Sequence, residues 1–260
     1  MNVFKIIYKK IYHYFTARNT NGFGVHSPFM FQFIQNVLGE KHFFYVFSSI
    51  ELMRKDALKN DEKIYITDYG TGKNRQSTVK EIAKKSAKSP RFGQLLFRIV
   101  HYFKFKNVLE LGTSLGISTA YLASSSSQIK CTSIEGCPQT ASQARKVFKK
   151  LNLQNIELVE GNIDVVLNQV LDKYQTLDLI YIDANHKQEA VIRYFEKCLP
   201  KIHNESIIIF DDIHWSEDME QAWNKILGYD EISSSIDLFE MGIVFFNKNL
   251  SKKRYKVFYK

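Results

Sequence analysis

The sequence has little cysteine and no cysteine spacing that would bind a metal. Its 260 residues include only Cys131, Cys137 and Cys198, and so few thiols favour a reducing compartment. No apolar run is long enough to form a transmembrane helix, and the N-terminus lacks the apolar core and cleavage site of a signal peptide. We therefore expect a cytoplasmic protein.

Acidic residues are absent from the first 39 residues, and the whole chain carries a formal net charge of +9. Residues 1–15 mix aromatic and aliphatic side chains with lysines, a pattern that predicts a basic amphipathic helix. This helix could be a peripheral membrane anchor, a nucleic-acid-binding face, or a helix docked on the core with solvated lysines. We favour the docked helix. The segment 248–260 has six basic residues and no acid, which we interpret as a solvated basic tail.

From Pro90 onward the sequence alternates between strand-like and helix-like patterns, without internal repeats. This alternation predicts an α/β Rossmann-like fold, a mostly parallel sheet flanked by helices with the last strand antiparallel. The predicted strands are 107–112, 129–135, 156–161, 177–183 and 206–212, followed by 236–239 and 241–246 as an antiparallel pair. The predicted helices between them are 116–124, 138–151, 163–171, 187–199 and 217–227.

We expect two domains, an N-terminal helical extension over residues 1–88 and the Rossmann-like domain over residues 89–260. The extension contains helical patterns at 28–38, 42–60 and 79–88. Between them, residues 61–78 form a polar segment around Asp68–Lys73. We interpret this segment as a mobile loop that acts as a lid over the active site.

The stretch Val108–Ala123 reads as a strand, a turn with two glycines and a helix. Gly112 would allow a tight turn after the strand, and Gly116 a close approach of the backbone at the start of the helix. A dinucleotide-binding fingerprint needs G-x-G-x-x-G, which is absent here. Glu110, just before the turn, would repel a phosphate but favour a ligand with a cationic amino group.

Polar residues follow five predicted strands at the point where each ends. In an open α/β sheet, ligands bind at the carboxyl ends of the strands, so these residues are candidates for one site. They are Glu110-Leu111-Gly112, Glu135-Gly136, Gly161-Asn162, Asp183-Ala184-Asn185-His186 and Asp211-Asp212.

The segment from Ser89 to Asn247 resembles the class I S-adenosylmethionine-dependent methyltransferases. Within it, residues 177–186 and 207–215 are similar to the metal-dependent O-methyltransferases of the catechol and caffeoyl-CoA type. The pair Asp211-Asp212 looks more like that of the macrolide and aminocoumarin sugar O-methyltransferases. The resemblance implies S-adenosylmethionine as cofactor and transfer of its methyl group to a hydroxyl oxygen of a small molecule.

The resemblance also assigns roles to particular residues. Glu135 would accept hydrogen bonds from the ribose hydroxyls, because an ionised carboxylate only accepts. The candidate cofactor-binding residues are Glu110, Gly112, Thr113, Ser114, Gly116, Ser118, Glu135, Gly161, Asn162, Ile163 and Asp183, with Gly93 and Gln94 as further candidates.

Three carboxylates, Asp183, Asp211 and Asp212, form the candidate metal site, since hard oxygen ligands suit Mg²⁺ or another divalent cation. Alternatively, only Asp183 meets the cofactor region, and Asp211 or Asp212 caps the following helix. The candidate catalytic residues are Asp183 and His186, with His186 as the base. A structural histidine in the loop after the strand is the alternative.

Other functions fit parts of the sequence. The basic termini suit an RNA methyltransferase, or a lipid-directed enzyme held at an anionic membrane surface by residues 1–18. A Rossmann-like protein that binds a nucleotide without catalysis belongs to a different class, and a homodimer is compatible with the N-terminal aromatics.

Overall fold

The computed structural model describes residues 3–70 and 72–259. Met1 and Asn2 of the predicted N-terminal helix, Thr71 of the polar segment and Lys260 of the basic tail lie outside the described residues. The chain divides into two compact units. We call residues 41–175 the central unit and residues 1–40 with 176–260 the terminal unit. The two predicted domains, with their boundary near residue 88, do not correspond to these two units. They stay a prediction.

Strands and α-helices alternate between residues 107 and 226 of the described chain. The helices are α1 (Val3–Thr16), α2 (Pro28–Phe33, continued by a π-helical turn over Ile34–Leu38), α3 (Tyr45–Ala57), α4 (Val79–Ser86), α5 (Pro90–Phe103), α6 (Ile117–Ala123), α7 (Pro138–Lys150), α8 (Ile163–Leu171), α9 (Gln188–Cys198) and α10 (Glu217–Ile226). The strands are β1 (Lys63–Ile66), β2 (Arg75–Thr78), β3 (Asn107–Leu111), β4 (Lys130–Glu135), β5 (Ile156–Glu160), β6 (Leu179–Ile182), β7 (Ile207–Asp211), β8 (Ser234–Asp237), β9 (Met241–Phe245) and β10 (Lys253–Lys256).

In the central unit, β3, β4 and β5 form parallel pairs in that order. The register places Glu110 opposite Ser133, and Glu135 opposite Glu160. The carboxyl ends of these strands therefore share one edge, as the sequence predicted. Helix α6 is buried along most of its length, which explains its nearly unbroken apolar sequence.

In the terminal unit the strand order is β10-β8-β9-β7-β6. Strands β6 and β7 are parallel, and β9 is antiparallel to both β7 and β8. The predicted antiparallel pair is confirmed. The interpretation of the tail as a solvated segment was wrong for its apolar side chains, because β10 pairs in parallel with β8, and Tyr255 and Val257 are buried on either side of Lys256. The tail thus follows the two-residue period of a half-buried strand.

The polar segment 61–78 is a β-hairpin rather than an irregular loop. Strands β1 and β2 pair antiparallel, and Ile64 packs with Val79, Ile82 and Leu115 in a buried cluster. In the turn, Asp68 accepts a hydrogen bond from the Gly70 backbone and forms an ion pair of 3.2 Å with Arg75. The role of this hairpin as a lid stays a prediction.

Helix α1 is docked within the terminal unit through its basic side chains. Its lysines form ion pairs with acids of α10 and of the turn before β9, while the side chains of Lys5 and Lys10 remain about half exposed to solvent. The pairs are Lys5–Glu217 at 2.5 Å, Lys9–Glu220 at 2.6 Å and Lys10–Glu240 at 2.8 Å. Within residues 3–70 and 72–259, no helix combines the length and the apolar character needed to cross a membrane.

A hydrogen-bonded network of His13, Asp237 and His214 connects α1 to the end of β8. Asp237 accepts hydrogen bonds from Nε2 of His13 at 3.0 Å and from Nε2 of His214 at 2.9 Å. Burial alone would raise the pKa of Asp237, but the two histidines outweigh it and hold that pKa well below its usual range. The ring of Phe239 stacks on His214 and closes the network.

Candidate active site

The loop between β3 and α6 turns sharply and is fixed to the neighbouring strand. The backbone N–H groups of Gly112 and Thr113 both donate to the carbonyl of Ile134, at 3.0 and 3.2 Å. Gly116 caps α6 in the left-handed conformation, with φ of 79°. A Cβ atom at this position would lie 2.6 Å from the ring of Phe148, so both the backbone conformation and the packing require glycine.

Beneath this loop, the carboxylate of Glu110 joins three elements. Its Oε2 accepts hydrogen bonds from the hydroxyls of Ser133 on β4, at 2.5 Å, and of Thr119 on α6. Thr113 in the loop shares a 2.5 Å hydrogen bond with Ser133. Burial raises the pKa of Glu110 to about 7, although hydrogen bonds from Ser118 and the other two hydroxyls oppose the shift. Glu110 is fully buried. Its predicted contact with a cationic amino group stays a prediction.

Ser133 was missed in the sequence. The signal was present, because Thr132 and Ser133 are polar residues in the buried middle of the strand, between Cys131 and Ile134. A buried hydroxyl needs a hydrogen-bond partner, and the partner here is the carboxylate in the matching register position.

Glu135 lies at the carboxyl end of β4, as predicted, and its carboxylate is held by backbone groups. Oε2 accepts from the N–H of Ser114 at 2.7 Å, and Oε1 accepts from the N–H of Cys137 at 2.9 Å. Burial raises the pKa of Glu135, against these backbone hydrogen bonds. Each oxygen keeps a further lone pair for a hydroxyl donor.

The end of β5 lies directly beside Glu135. The backbone N–H of Gly161 donates to the Glu135 carbonyl at 2.9 Å. The side chain of Asn162 accepts from the N–H of Asp164 at 3.0 Å and caps α8, while Ile163 is buried. The structure therefore brings together four of the predicted cofactor residues, Glu135 and the three that follow β5. Contact between Asn162 or Ile163 and an adenine ring stays a prediction.

Gly93 and Gln94 lie on α5. A Cβ atom at Gly93 would be 2.5 Å from the ring of Tyr121, so Gly93 allows α5 and α6 to pack closely. The side-chain oxygen of Gln94 accepts from Arg98 at 3.5 Å. Gly93 thus has a role in helix packing, and Gln94 a role in a side-chain hydrogen bond on the same helix. A role of either residue in binding a cofactor stays a prediction.

The candidate catalytic residues lie in the terminal unit, after β6. The Nε2 atom of His186 is 3.9 Å from Oδ1 of Asp183, and the hydroxyl of Tyr181 donates to Oδ2 of Asp183 at 3.3 Å. Asn185 between them has a left-handed backbone, with φ of 49°. This turn brings the imidazole back toward the carboxylate.

The predicted metal ligands do not form a three-ligand group. Asp211 ends β7 and is almost completely buried, whereas Asp212 adopts a left-handed backbone and donates its N–H to the carbonyl of Glu240 at 2.7 Å. In the part of the chain that the structure describes, no set of three or more histidine, cysteine, aspartate or glutamate side chains is arranged to hold a metal ion. The described arrangement of Asp183, Asp211 and Asp212 therefore gives no support to the predicted metal site, which stays a prediction.

Known proteins with the same fold are methyltransferases. An O-methyltransferase from Bacillus cereus in complex with SAH superposes with a TM-score of 0.57 at 22% identity, covering 82% of this chain and 96% of that one. The O-methyltransferase TomG from Streptomyces achromogenes, involved in tomaymycin synthesis and solved with SAM, gives a TM-score of 0.58 at 14% identity, covering 79% and 91%. At these identities the likeness concerns the fold. The molecule thus has the class I methyltransferase fold.

Sequence comparison finds methyltransferases that match part of the chain. Residues 109–213 match the family model described as a methyltransferase domain. The Sulfolobus acidocaldarius protein named probable cobalt-precorrin-6B C(15)-methyltransferase (decarboxylating) is 31% identical over 84 residues, which are 32% of this chain. The match spans 41% of that relative's length. Residues 109–213 are thus similar to a methyltransferase domain, in agreement with the predicted resemblance to the class I S-adenosylmethionine-dependent methyltransferases.

Replacing Glu110 by glutamine should change how stability depends on pH. The pKa of Glu110 is raised from 4.5 to about 7, so the folded state binds one proton more than the unfolded state between these values. Wild-type stability therefore falls as pH rises through this window, and Glu110→Gln removes that loss. We expect the free energy of unfolding of the variant, relative to wild type, to increase by roughly 3 kcal/mol from pH 4 to pH 8.

Urea unfolding at several pH values measures this difference. Glu160→Gln is the matched control, because Glu160 is a partly exposed acid paired with Arg145 at the surface. Parallel pH profiles for wild type and Glu110→Gln would contradict the prediction.

Proposed function

We propose that this protein transfers the methyl group of S-adenosylmethionine to a hydroxyl oxygen of a small molecule. The observation that carries the proposal is the cradle at the ends of β4 and β5. There the Glu135 carboxylate is oriented by two backbone N–H groups and keeps acceptor capacity on both oxygens. The O-methyltransferase folds reported above support the acceptor class.

The described residues fit the cofactor. Glu135 would hold the ribose hydroxyls, and the backbone of the β3–α6 loop would bind beside it. At Gly136 and Gly161 a Cβ atom would lie 2.7 Å from a neighbouring side chain in each case, so both strand ends are closely packed at these positions. When bound, S-adenosylmethionine supplies an activated methyl group, so the protein needs mainly to orient the acceptor and remove its proton.

His186 is the proposed base of this reaction. A neutral imidazole can accept the hydroxyl proton, and the nearby Asp183 carboxylate would stabilise the imidazolium that results. Asp183 thereby has a role as a positioning residue. Assistance by a divalent metal ion at Asp183, Asp211 and Asp212 stays a prediction, and no step proposed here depends on it.

Replacing Glu135 by alanine should abolish most of the affinity for S-adenosylhomocysteine. Hydrogen bonds to a charged group contribute about 1.5–3 kcal/mol each, so the loss of two ribose contacts should weaken binding by about 100-fold or more. Calorimetric titration with and without Mg²⁺ measures the effect. Glu157→Ala is the control, since Glu157 pairs with Lys173 on the surface of the same unit. Absence of binding by the wild-type protein in both conditions would remove the proposed function.

Replacing His186 by alanine should reduce methyl transfer by roughly 100-fold or more, the usual contribution of a general base, and leave the affinity for S-adenosylhomocysteine unchanged. Transfer of labelled methyl groups to a panel of phenols, sugars and lipids measures this. His203→Ala is the control, because His203 pairs with Asp178 at 2.9 Å at the other end of β6. Equal rates in wild type and His186→Ala would exclude His186 as the base, and full activity in EDTA would remove the metal.

We further propose that α1 attaches the protein to anionic membrane surfaces. The lysines of α1 lie on the side of the helix that faces the acids with which they pair. The outer side presents a stripe of large apolar residues. Their exposed fractions are Ile7 50%, Tyr8 69%, Ile11 51%, Tyr12 57% and Phe15 77%. Aromatic and aliphatic side chains on one face suit the boundary between headgroups and acyl chains.

Charge at the edge of this stripe favours a lipid surface over a second copy of the chain. The ammonium group of Lys256 lies 5.7 Å from the centre of the Tyr12 ring, and residues 1–39 contain no acid. Two such faces would repel each other, whereas anionic headgroups would attract them. The predicted homodimer and nucleic-acid partners have no comparable support and stay predictions.

The double variant Ile11→Glu/Phe15→Glu should no longer float with vesicles that contain anionic lipid, because it places charge in the apolar stripe. Wild type should float with anionic vesicles and much less with neutral ones. Val165→Glu is the matched control, since Val165 is a 69% exposed apolar residue on α8. A variant that floats like wild type would contradict the proposal, as would a wild-type dimer in gel filtration that the double variant dissociates.

A further inference from the structure

The ring of Tyr69 lies against Gly136, the residue that follows the candidate ribose-binding Glu135 in the chain. A Cβ atom built at Gly136 would be 2.7 Å from Cδ2 and 3.2 Å from Cε2 of Tyr69. It would also be 3.9 Å from the carbonyl oxygen of Gly161. Tyr69 therefore occupies the space that a side chain at position 136 would fill, at the point where β4 and β5 end.

The hairpin that carries Tyr69 is attached to this strand end at three points. The backbone N–H of Tyr65 donates to the side chain of Gln139 at 2.5 Å, and the N–H of Thr67 donates to Sγ of Cys137 at 3.5 Å. The Cys137 thiol in turn donates to the carbonyl of Tyr65 at 3.4 Å. These contacts hold β1 against the start of α7, directly after Glu135 and Gly136.

The turn of the hairpin is also ordered by its own hydrogen bonds. Asp68 accepts from the N–H of Gly70 with its carboxylate, at 3.0 Å, and from the N–H of Gly72 with its carbonyl, at 2.8 Å. The side chain of Asn74 accepts from the N–H of Asp68 at 3.1 Å. Since Tyr69 is flanked by these bonds, its backbone has a defined direction toward Gly136.

Tyr69 is 53% exposed although it contacts the site. One part of the ring is covered by Gly136 and the rest remains accessible. An accessible aromatic ring beside a carboxylate that binds hydroxyls matches the chemistry of a nucleoside, which combines a ribose with a flat base. Aromatic rings contribute to nucleoside binding by packing on the base or the sugar.

We infer that Tyr69 lines the adenosine-binding site. Its ring, which the hairpin carries, provides a packing surface next to Gly136, a residue that has no side chain of its own. This inference rests on the proposed function, because it takes Glu135 as the ribose-binding residue. The hairpin thereby acts as a fixed part of the cofactor site. Tyr69 is a binding residue here and has no part in proton transfer.

The variants Tyr69→Ala, Tyr69→Phe and Tyr65→Ala test the inference in the full-length protein. Calorimetry is performed with S-adenosylhomocysteine and with 5′-methylthioadenosine, which contains the adenosine but lacks the amino acid part. Tyr69→Ala should weaken both ligands by about tenfold, since one aromatic contact accounts for about a decade of affinity. Tyr69→Phe should bind like wild type. Tyr65→Ala, which removes another half-exposed ring from the same hairpin, should also bind like wild type.

The outcomes separate this inference from the proposed function. Failure of the wild-type protein to bind either ligand would overturn both. Binding by wild type with unchanged affinity in Tyr69→Ala would overturn only the role of Tyr69. A loss in Tyr69→Phe as large as in Tyr69→Ala would overturn ring packing, and a loss in Tyr65→Ala of the same size would assign the effect to the fold of the hairpin. Thermal unfolding of each variant identifies such a fold defect directly.

Discussion

The arrangement of the central unit depends on one buried carboxylate. Glu110 lies at the end of β3 with no exposure to solvent, and it accepts hydrogen bonds from hydroxyls on β4 and α6. A buried carboxyl group is costly unless such bonds compensate its loss of hydration. Ser133 and Thr119 donate these hydrogen bonds, and Glu110 thereby joins β3, β4 and α6 at one point. The glycine loop passes over this point, and its Ser114 N–H is thereby directed at Glu135.

The parts of the fold that the sequence predicts well are those whose residues report burial locally. The apolar runs of β3, β6 and β7, each followed by an acid or a glycine, identified buried parallel strands and the edge at which they end. The predicted Glu135 and Gly161 lie side by side there, because parallel strands bring their carboxyl ends to one edge. The predicted resemblance to methyltransferases was based on the same strands and the residues that end them.

The parts that were missed have polar sequences whose structure depends on distant partners. Strand β10 consists mainly of basic residues, and only its pairing with β8 distinguishes it from a solvated tail. The hairpin is short and polar, and its order comes from contacts with Cys137 and Gln139, about 70 residues further along the chain. For α1, the sequence indicates two faces but not which one is inside. The acids of α10 decide this, by pairing with the lysines.

The division of the chain has a consequence for the order in which it folds during synthesis. The central unit is one continuous segment, residues 41–175, whereas the terminal unit combines the first 40 residues with the last 85. Helix α1 emerges from the ribosome before the central unit, but its partners Glu217, Glu220 and Glu240 are made more than 200 residues later. The central unit can therefore complete its core while α1 still waits for its acidic partners. During that interval both faces of α1 are available to chaperones.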